Sequence, residues 1–121
     1  MTDFNFNDSS IVNFYTKDHN AILEVDDVHY NHALVKVIIN VRNYKSLQAD
    51  NGTPDYALEN IEALKDFPSI GEVLDFKSDE VSFTALIEWQ GLGSNDRYTR
   101  TYKIIGQSLS IDIGEPYIDT R

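Results

Sequence analysis

The sequence predicts a mainly β domain of the α+β kind: an antiparallel β-sandwich or partly open barrel of about seven strands with one helix. Three observations lead there. Ala33, Val35, Val37, Ile39 and Val41 alternate with residues such as Lys36 and Asn40, and Val81, Phe83, Ala85, Ile87 and Trp89 alternate with Ser82, Thr84 and Glu88. Short polar or glycine-bearing turns separate runs of this kind. One segment, Thr53 to Asp66, changes to a helical period. Successive side chains of a strand leave on opposite faces, so strict alternation marks a strand with one buried face.

A short opening strand is expected at Ile11 to Tyr15. In the next, Ala21, Leu23 and Val25 alternate with Glu24 and Asp26, and the apolar parity then slips to Val28 and Tyr30. One extra residue flips the facing of a strand, so the slip predicts a β-bulge at Asp26–Asp27. Tyr30-Asn31-His32-Ala33 closes a tight hairpin into the Ala33–Val41 strand, because Asn tolerates the positive φ that such turns demand. The helix comes next. Ala57, Leu58, Ile61 and Leu64 form its apolar stripe, Thr53 caps it, Pro54 suits its first position, Asp55 faces the positive end of its dipole, and Pro68 stops it. Glu72 to Phe76 then leads through Ser78-Asp79-Glu80 into the Trp89 strand, and a loop spans Gly91 to Asp96. Tyr98, Tyr102 and Ile104 share a face of the following strand, and Gly106-Gln107 turns it into Leu109, Ile111 and Ile113. Trp89 closes its apolar stripe and is expected in the core.

No linker, low-complexity tract or internal repeat interrupts the chain, so residues 1–121 read as one domain. That length is enough to bury a core without covalent staples. The absence of cysteine excludes a disulfide scaffold, a thiolate metal site and a cysteine nucleophile. Twenty acids against ten bases give a net charge of −10. Phosphate contacts need clustered Lys and Arg, so neither direct nucleic-acid binding nor an anionic membrane is expected, and a basic partner is. The start, MTDFNFNDSS, has neither the basic region nor the apolar run of a signal peptide, and the expected location is the cytoplasm.

No metal or other cofactor is expected. Asp3-Phe4-Asn5-Phe6-Asn7-Asp8 begins like a calcium loop, but the required glycine falls at Asp8 and the required glutamate at Phe14. His29 and His32 flank a turn with no spaced ligand motif and read as a solvated hairpin tip. Nucleophile-elbow, P-loop, dinucleotide and HExxH motifs do not occur, and Glu88 falls on the solvent parity of its strand. We therefore expect no enzyme.

Charge distribution is the informative signal. Between Asp50 and Glu80 lie nine acids and two bases, so this segment carries −7 of the total −10. Asp55, Glu59, Glu62 and Asp66 are three or four residues apart, on the side of the expected helix away from its apolar stripe. They are the first candidates for a partner-binding face, with Glu72, Asp75, Asp79 and Glu80 as second candidates. The alternative site is the strand bearing Arg97, Arg100 and Lys103, which suits an acidic partner.

The run Phe6-Asn7-Asp8-Ser9-Ser10-Ile11-Val12, then Ala21-Ile22-Leu23-Glu24-Val25 and Val35-Lys36-Val37-Ile38-Ile39-Asn40-Val41, resembles small immunity proteins of bacterial polymorphic-toxin systems, the contact-dependent-inhibition type included. The resemblance covers about the first 45 residues. It implies a protein that binds and neutralises a cognate toxin of the same cell, often a basic nuclease, and it transfers no individual binding residue. Two other readings differ in class. One is a phage-type acidic inhibitor or nucleic-acid mimic; the other is a small β-barrel ligand-binding protein or enzyme with a pocket lined by Tyr98, Tyr102 and Trp89.

Overall fold

Alternation of apolar and polar residues is carried through into nine strands among the described residues of the computed structural model, which are 4–50, 58–61, 69–91 and 97–117. In chain order these are β1 (Ser10–Lys17), β2 (Asn20–Tyr30), β3 (Ala33–Arg42), β4 (Ser46–Asp50), β5 (Leu58–Asn60), β6 (Ser69–Ser78), β7 (Ser82–Gly91), β8 (Arg97–Ile105) and β9 (Ser108–Ile113). They form a four-stranded sheet, β1-β2-β3-β9, and a five-stranded sheet, β5-β4-β8-β7-β6. All the pairings are antiparallel. The sheets are not closed into a barrel.

The expected helix is overturned, and with it the α+β class: no helix occurs among the described residues. Leu58, Glu59 and Asn60, the middle of the expected helix, pair with Asp50, Ala49 and Gln48 of β4. The Ile61 N–H extends the ladder to the Leu47 carbonyl at 2.8 Å. A few apolar residues at helical spacing are a weak preference, and an available strand edge outweighs it. Residues 51–57 and 62–68, the rest of that segment, lie outside the described residues, as does most of the Gly91–Asp96 loop.

Three expected features are present. Trp89 is buried. The bulge lies where parity slips, with Asp26 and Asp27 between the pairs Val25↔Val37 and Val28↔Val35 and Asp27 at a φ of 61°. The bulge keeps Val25 and Val28 both buried despite their odd spacing. Asn31 and His32 turn the β2–β3 hairpin at φ values of 49° and 64°. Asp18 and His19 make the same turn between β1 and β2, at 53° and 63°. Positive φ at both central residues matches the right-handed twist of the flanking strands.

Two strands switch sheets. β3 runs on through Asn43-Tyr44-Lys45 into β4, and β8 runs through Gly106-Gln107 into β9. The two stay hydrogen-bonded through the bend, Gln107 donating to the Arg42 carbonyl at 2.9 Å and Lys45 to the Ile105 carbonyl at 2.7 Å. Corners of this kind join sheets packed across one another. A Cβ at Gly106 would lie 2.5 Å from a Val41 methyl and 2.6 Å from the Arg42 carbonyl, so only glycine fits the corner.

Both inner faces share one core. Leu23, Val25, Val37 and Ile39 from the first sheet meet Val73, Phe83, Ile87 and Ile104 from the second. Each fully buried side chain of this size stabilises the fold by about 1.5–3 kcal/mol. Phe14 meets Tyr102 edge-on across the sheets at 5.0 Å. Gly71 sits opposite Trp89 in the β6–β7 pair, and its missing side chain leaves the space that the indole fills. No helix among the described residues is long and apolar enough to cross a membrane.

Candidate functional site

Of the four acids expected on the helix, only Glu59 lies among the described residues. Glu59 is exposed on β5, at one edge of the five-stranded sheet, and Glu72 to Glu80 follow β6 at the opposite edge. Asp55, Glu62 and Asp66 lie outside the described residues. The structure therefore brings together Glu72, Asp75, Asp79 and Glu80, but not Glu59 with them.

Along β6 the four acids have different surroundings. Glu72 is half-buried and stands directly opposite Glu88 of β7, and its carboxylate accepts the Asp8 N–H at 3.2 Å. Leu74 is the extra residue of a bulge between Val73 and Asp75, which leaves Leu74 and Asp75 exposed. Asp79 shapes the β6–β7 turn: one carboxylate oxygen accepts the Val81 N–H at 2.9 Å, the Ser82 N–H at 2.8 Å and the Ser82 hydroxyl at 3.0 Å. The Val81 N–H and then the Ser82 hydroxyl hold its carboxyl below the usual 3.8. Glu80 points to solvent while its carbonyl accepts the Leu109 N–H at 2.8 Å.

Beside these acids runs a cleft of about 720 Å³, lined by Phe4 to Asn7, Leu74 to Ser78 and Ile111. The amino-terminal segment is fixed there because Asn5 and His29 exchange both backbone hydrogen bonds, each at 3.0 Å. A chain of rings follows from Tyr30 through Phe4, Phe6 and Phe76 to Phe83, with successive centroids 5.2, 6.0, 5.3 and 5.5 Å apart. It ties the first sheet to β6, and Phe4, Phe6 and Phe76 of the chain line the cleft. The cleft was not legible in the sequence. Phe4 and Phe6 precede the first strand and carry no period, and only the alternating aromatics Phe4-Asn5-Phe6 hinted at an extended segment.

The alternative basic face does not form. Arg97 and Lys103 leave β8 on one parity and Arg100 on the other. Arg100 is half-buried, donates through Nε to the Asp50 carbonyl at 2.8 Å and lies 5.5 Å from the centre of the Tyr102 ring. Asp50 is itself buried, and its carboxylate accepts the Thr101 N–H at 2.7 Å. In the sequence Asp50 is one of the nine acids of the 50–80 segment, and nothing in its spacing signals this role. The aromatic pocket is not built as expected either. Trp89 and Tyr102 are core residues, the indole N–H donating to the Tyr102 hydroxyl at 3.0 Å, while Tyr98 is exposed.

His29 and His32 are exposed, and among the described residues no group of three or more His, Cys, Asp or Glu is placed to hold a metal. At the carboxyl-terminal end, Tyr117 clasps the β2 bulge. Its hydroxyl donates to the Asp27 carboxylate and accepts the Asp27 N–H, both at 2.7 Å. Compared with protein-family models, curated proteins and solved structures, the chain gives no match.

Proposed function

We propose that this chain is an immunity protein: a non-enzymatic binder that neutralises a basic protein toxin of the same cell, acting in the cytoplasm. The observation that carries the reading is the edge of β6, where Asp75 lines a cleft with the apolar Phe4, Phe6, Leu74, Phe76 and Ile111 and the polar Asn5, Asn7, Lys77 and Ser78, and where Glu72, Asp79 and Glu80 follow along the same edge. An apolar centre with charged surroundings is how a specific protein interface is built. The acids give direction and speed to the encounter with a basic surface, and the cleft supplies desolvated contact. A chain of net charge −10 repels nucleic acid and attracts the basic active-site surface of a nuclease. The resemblance of residues 6–41 to immunity proteins points to the same partner.

The test has two stages. The tagged chain is used to capture its partner from the source cell, and the captured protein is then expressed in a susceptible host with and without this chain. A basic protein that kills alone and is harmless in company supports the reading. A harmless partner, or a host or phage DNA-binding protein, overturns it in favour of another kind of acidic inhibitor.

A further inference from the structure

Among the described residues, β6 is an edge strand held at both ends, with no strand paired to its outer side in the middle. Near its start, the position of a Cβ on Gly71 lies 3.0 Å from the Ile11 side chain. Just past its end, the Glu80 carbonyl receives the Leu109 N–H of β9. Between these supports, Asp75 to Ser78 pair with β7 on one side, and Leu74 to Ser78 line the cleft together with Phe4, Phe6 and Ile111. An edge strand offers a row of backbone donors and acceptors to any extended chain that can reach it. Here the row stands beside apolar contact for alternate side chains of such a chain, which is the arrangement of strand-addition sites. Leu74, pushed outward by the bulge and 42% exposed, is already part of that surface.

We infer that the edge of β6 from Leu74 to Ser78, with its cleft, receives one extended basic segment of the partner as an added strand; this rests on the reading of the chain as a binder of a basic protein. Charge selects the occupant. Asp8 and Glu72 stand at one end of the open stretch, Asp79 and Glu80 at the other, and Asp75 within it: five acids against two bases, Lys77 of β6 and Lys103 of β8 near Asp79. A second copy of this chain would bring the same carboxylates to the same edge, and like charges placed opposite one another across strands destabilise the pair. A segment in which Lys or Arg alternates with apolar residues places its charges among these acids and its apolar side chains on Phe4, Phe6, Phe76 and Ile111.

The experiment titrates the full isotope-labelled chain with a short synthetic peptide of alternating lysine and valine. A second titration uses the same peptide with glutamate in place of lysine. The lysine peptide should shift the amide resonances of Leu74 to Ser78 saturably, and bind at least about tenfold more tightly than the glutamate peptide. Leu74→Lys, at a position 42% exposed, should weaken the lysine peptide by a similar factor while the amide spectrum away from β6 stays that of the folded protein. Equal binding of both peptides, shifts confined to other strands, or self-association through β6 overturns the inference. A captured toxin that binds the chain but leaves the resonances of Leu74 to Ser78 unmoved also overturns it, while the immunity reading stands. The lysine peptide seated on β6, with a captured partner that is no toxin, overturns the immunity reading and leaves the strand-addition site in place.

Discussion

Trp89 and Tyr102 carry polar atoms into the core, and each satisfies the other through the bond from indole N–H to phenol oxygen. Trp89→Ala should cost about 3–5 kcal/mol in denaturant unfolding, the range for deleting a large buried aromatic. Emission of the folded protein should be that of an indole shielded from water, and an exposed-type maximum would contradict the packing. Tyr102→Phe keeps the ring but removes the acceptor of the buried Trp89 N–H, a change that should cost about 1–3 kcal/mol. Burial also pushes the Tyr102 phenol above the ordinary 10.0, with the Trp89 bond and Arg100 acting the other way. A group whose folded pKa is raised contributes stability that is complete below its unfolded value and is lost as pH climbs through the folded one. Tyr102 should therefore stay protonated past pH 10, and its tyrosinate absorbance should rise together with alkaline unfolding. Absorbance that rises while the fold persists would show a phenol open to solvent. Asp79 has the opposite sign. Its carboxyl is held below 3.8, so its contribution to the β6–β7 turn is present above that value and fades as pH falls through the lower folded one.

Turns and edges decide the elements. Both first-sheet hairpins use two non-glycine residues at positive φ, Asp18-His19 and Asn31-His32. An L side chain in that region costs roughly 1–2 kcal/mol. Replacing His32 with glycine creates the Asn-Gly pair that this turn favours, so His32→Gly should raise the melting temperature. An unchanged or lower value would show that the histidine ring contributes a contact that offsets its backbone strain. The same local chemistry explains which elements were legible in the sequence. The Asp26–Asp27 bulge and the Asn31-His32 turn were readable because each breaks a long alternation at a definite residue. β4 was not, because Leu47 and Ala49 are its only inward apolar pair, too few to establish a period. β5 was misread as helix because three exposed residues at an edge have no pattern of their own. Their conformation comes from the neighbouring β4, which sequence spacing does not contain. The site divides in the same way: the acids of β6 were readable as charge, whereas the cleft beside them is made by the tertiary approach of Phe4 and Phe6.

Charge acts on the whole molecule. The net −10 repels itself in the folded state, and salt screens that repulsion over a Debye length of about 10 Å at 0.1 M. On the partner side the effect reverses. Glu72→Gln, Asp75→Asn and Glu80→Gln together should leave the melting temperature nearly unchanged: Asp75 and Glu80 are exposed charges that contribute little stability, and a glutamine at the half-buried position 72 still offers an oxygen to the Asp8 N–H while removing the like charge opposite Glu88. They should slow association with a basic partner, by about tenfold or more at low salt and less as salt rises. Association rates measured at several ionic strengths check this, and identical curves for variant and wild type would place the interface away from β6. Asp79 is left in place because its carboxylate builds the turn. The corner at Asn43-Tyr44-Lys45 and Gly106-Gln107 bears on how the molecule comes apart. β3 and β9 pair on one side of it and β4 and β8 on the other, so a single hydrogen-bonded ribbon passes through both sheets. Opening either sheet disturbs the ribbon on which the other is built, so the described strands should open together rather than one sheet at a time. Amide hydrogen exchange should therefore report one shared opening free energy for Leu23 in the first sheet and Ile87 in the second, the free energy of global unfolding itself.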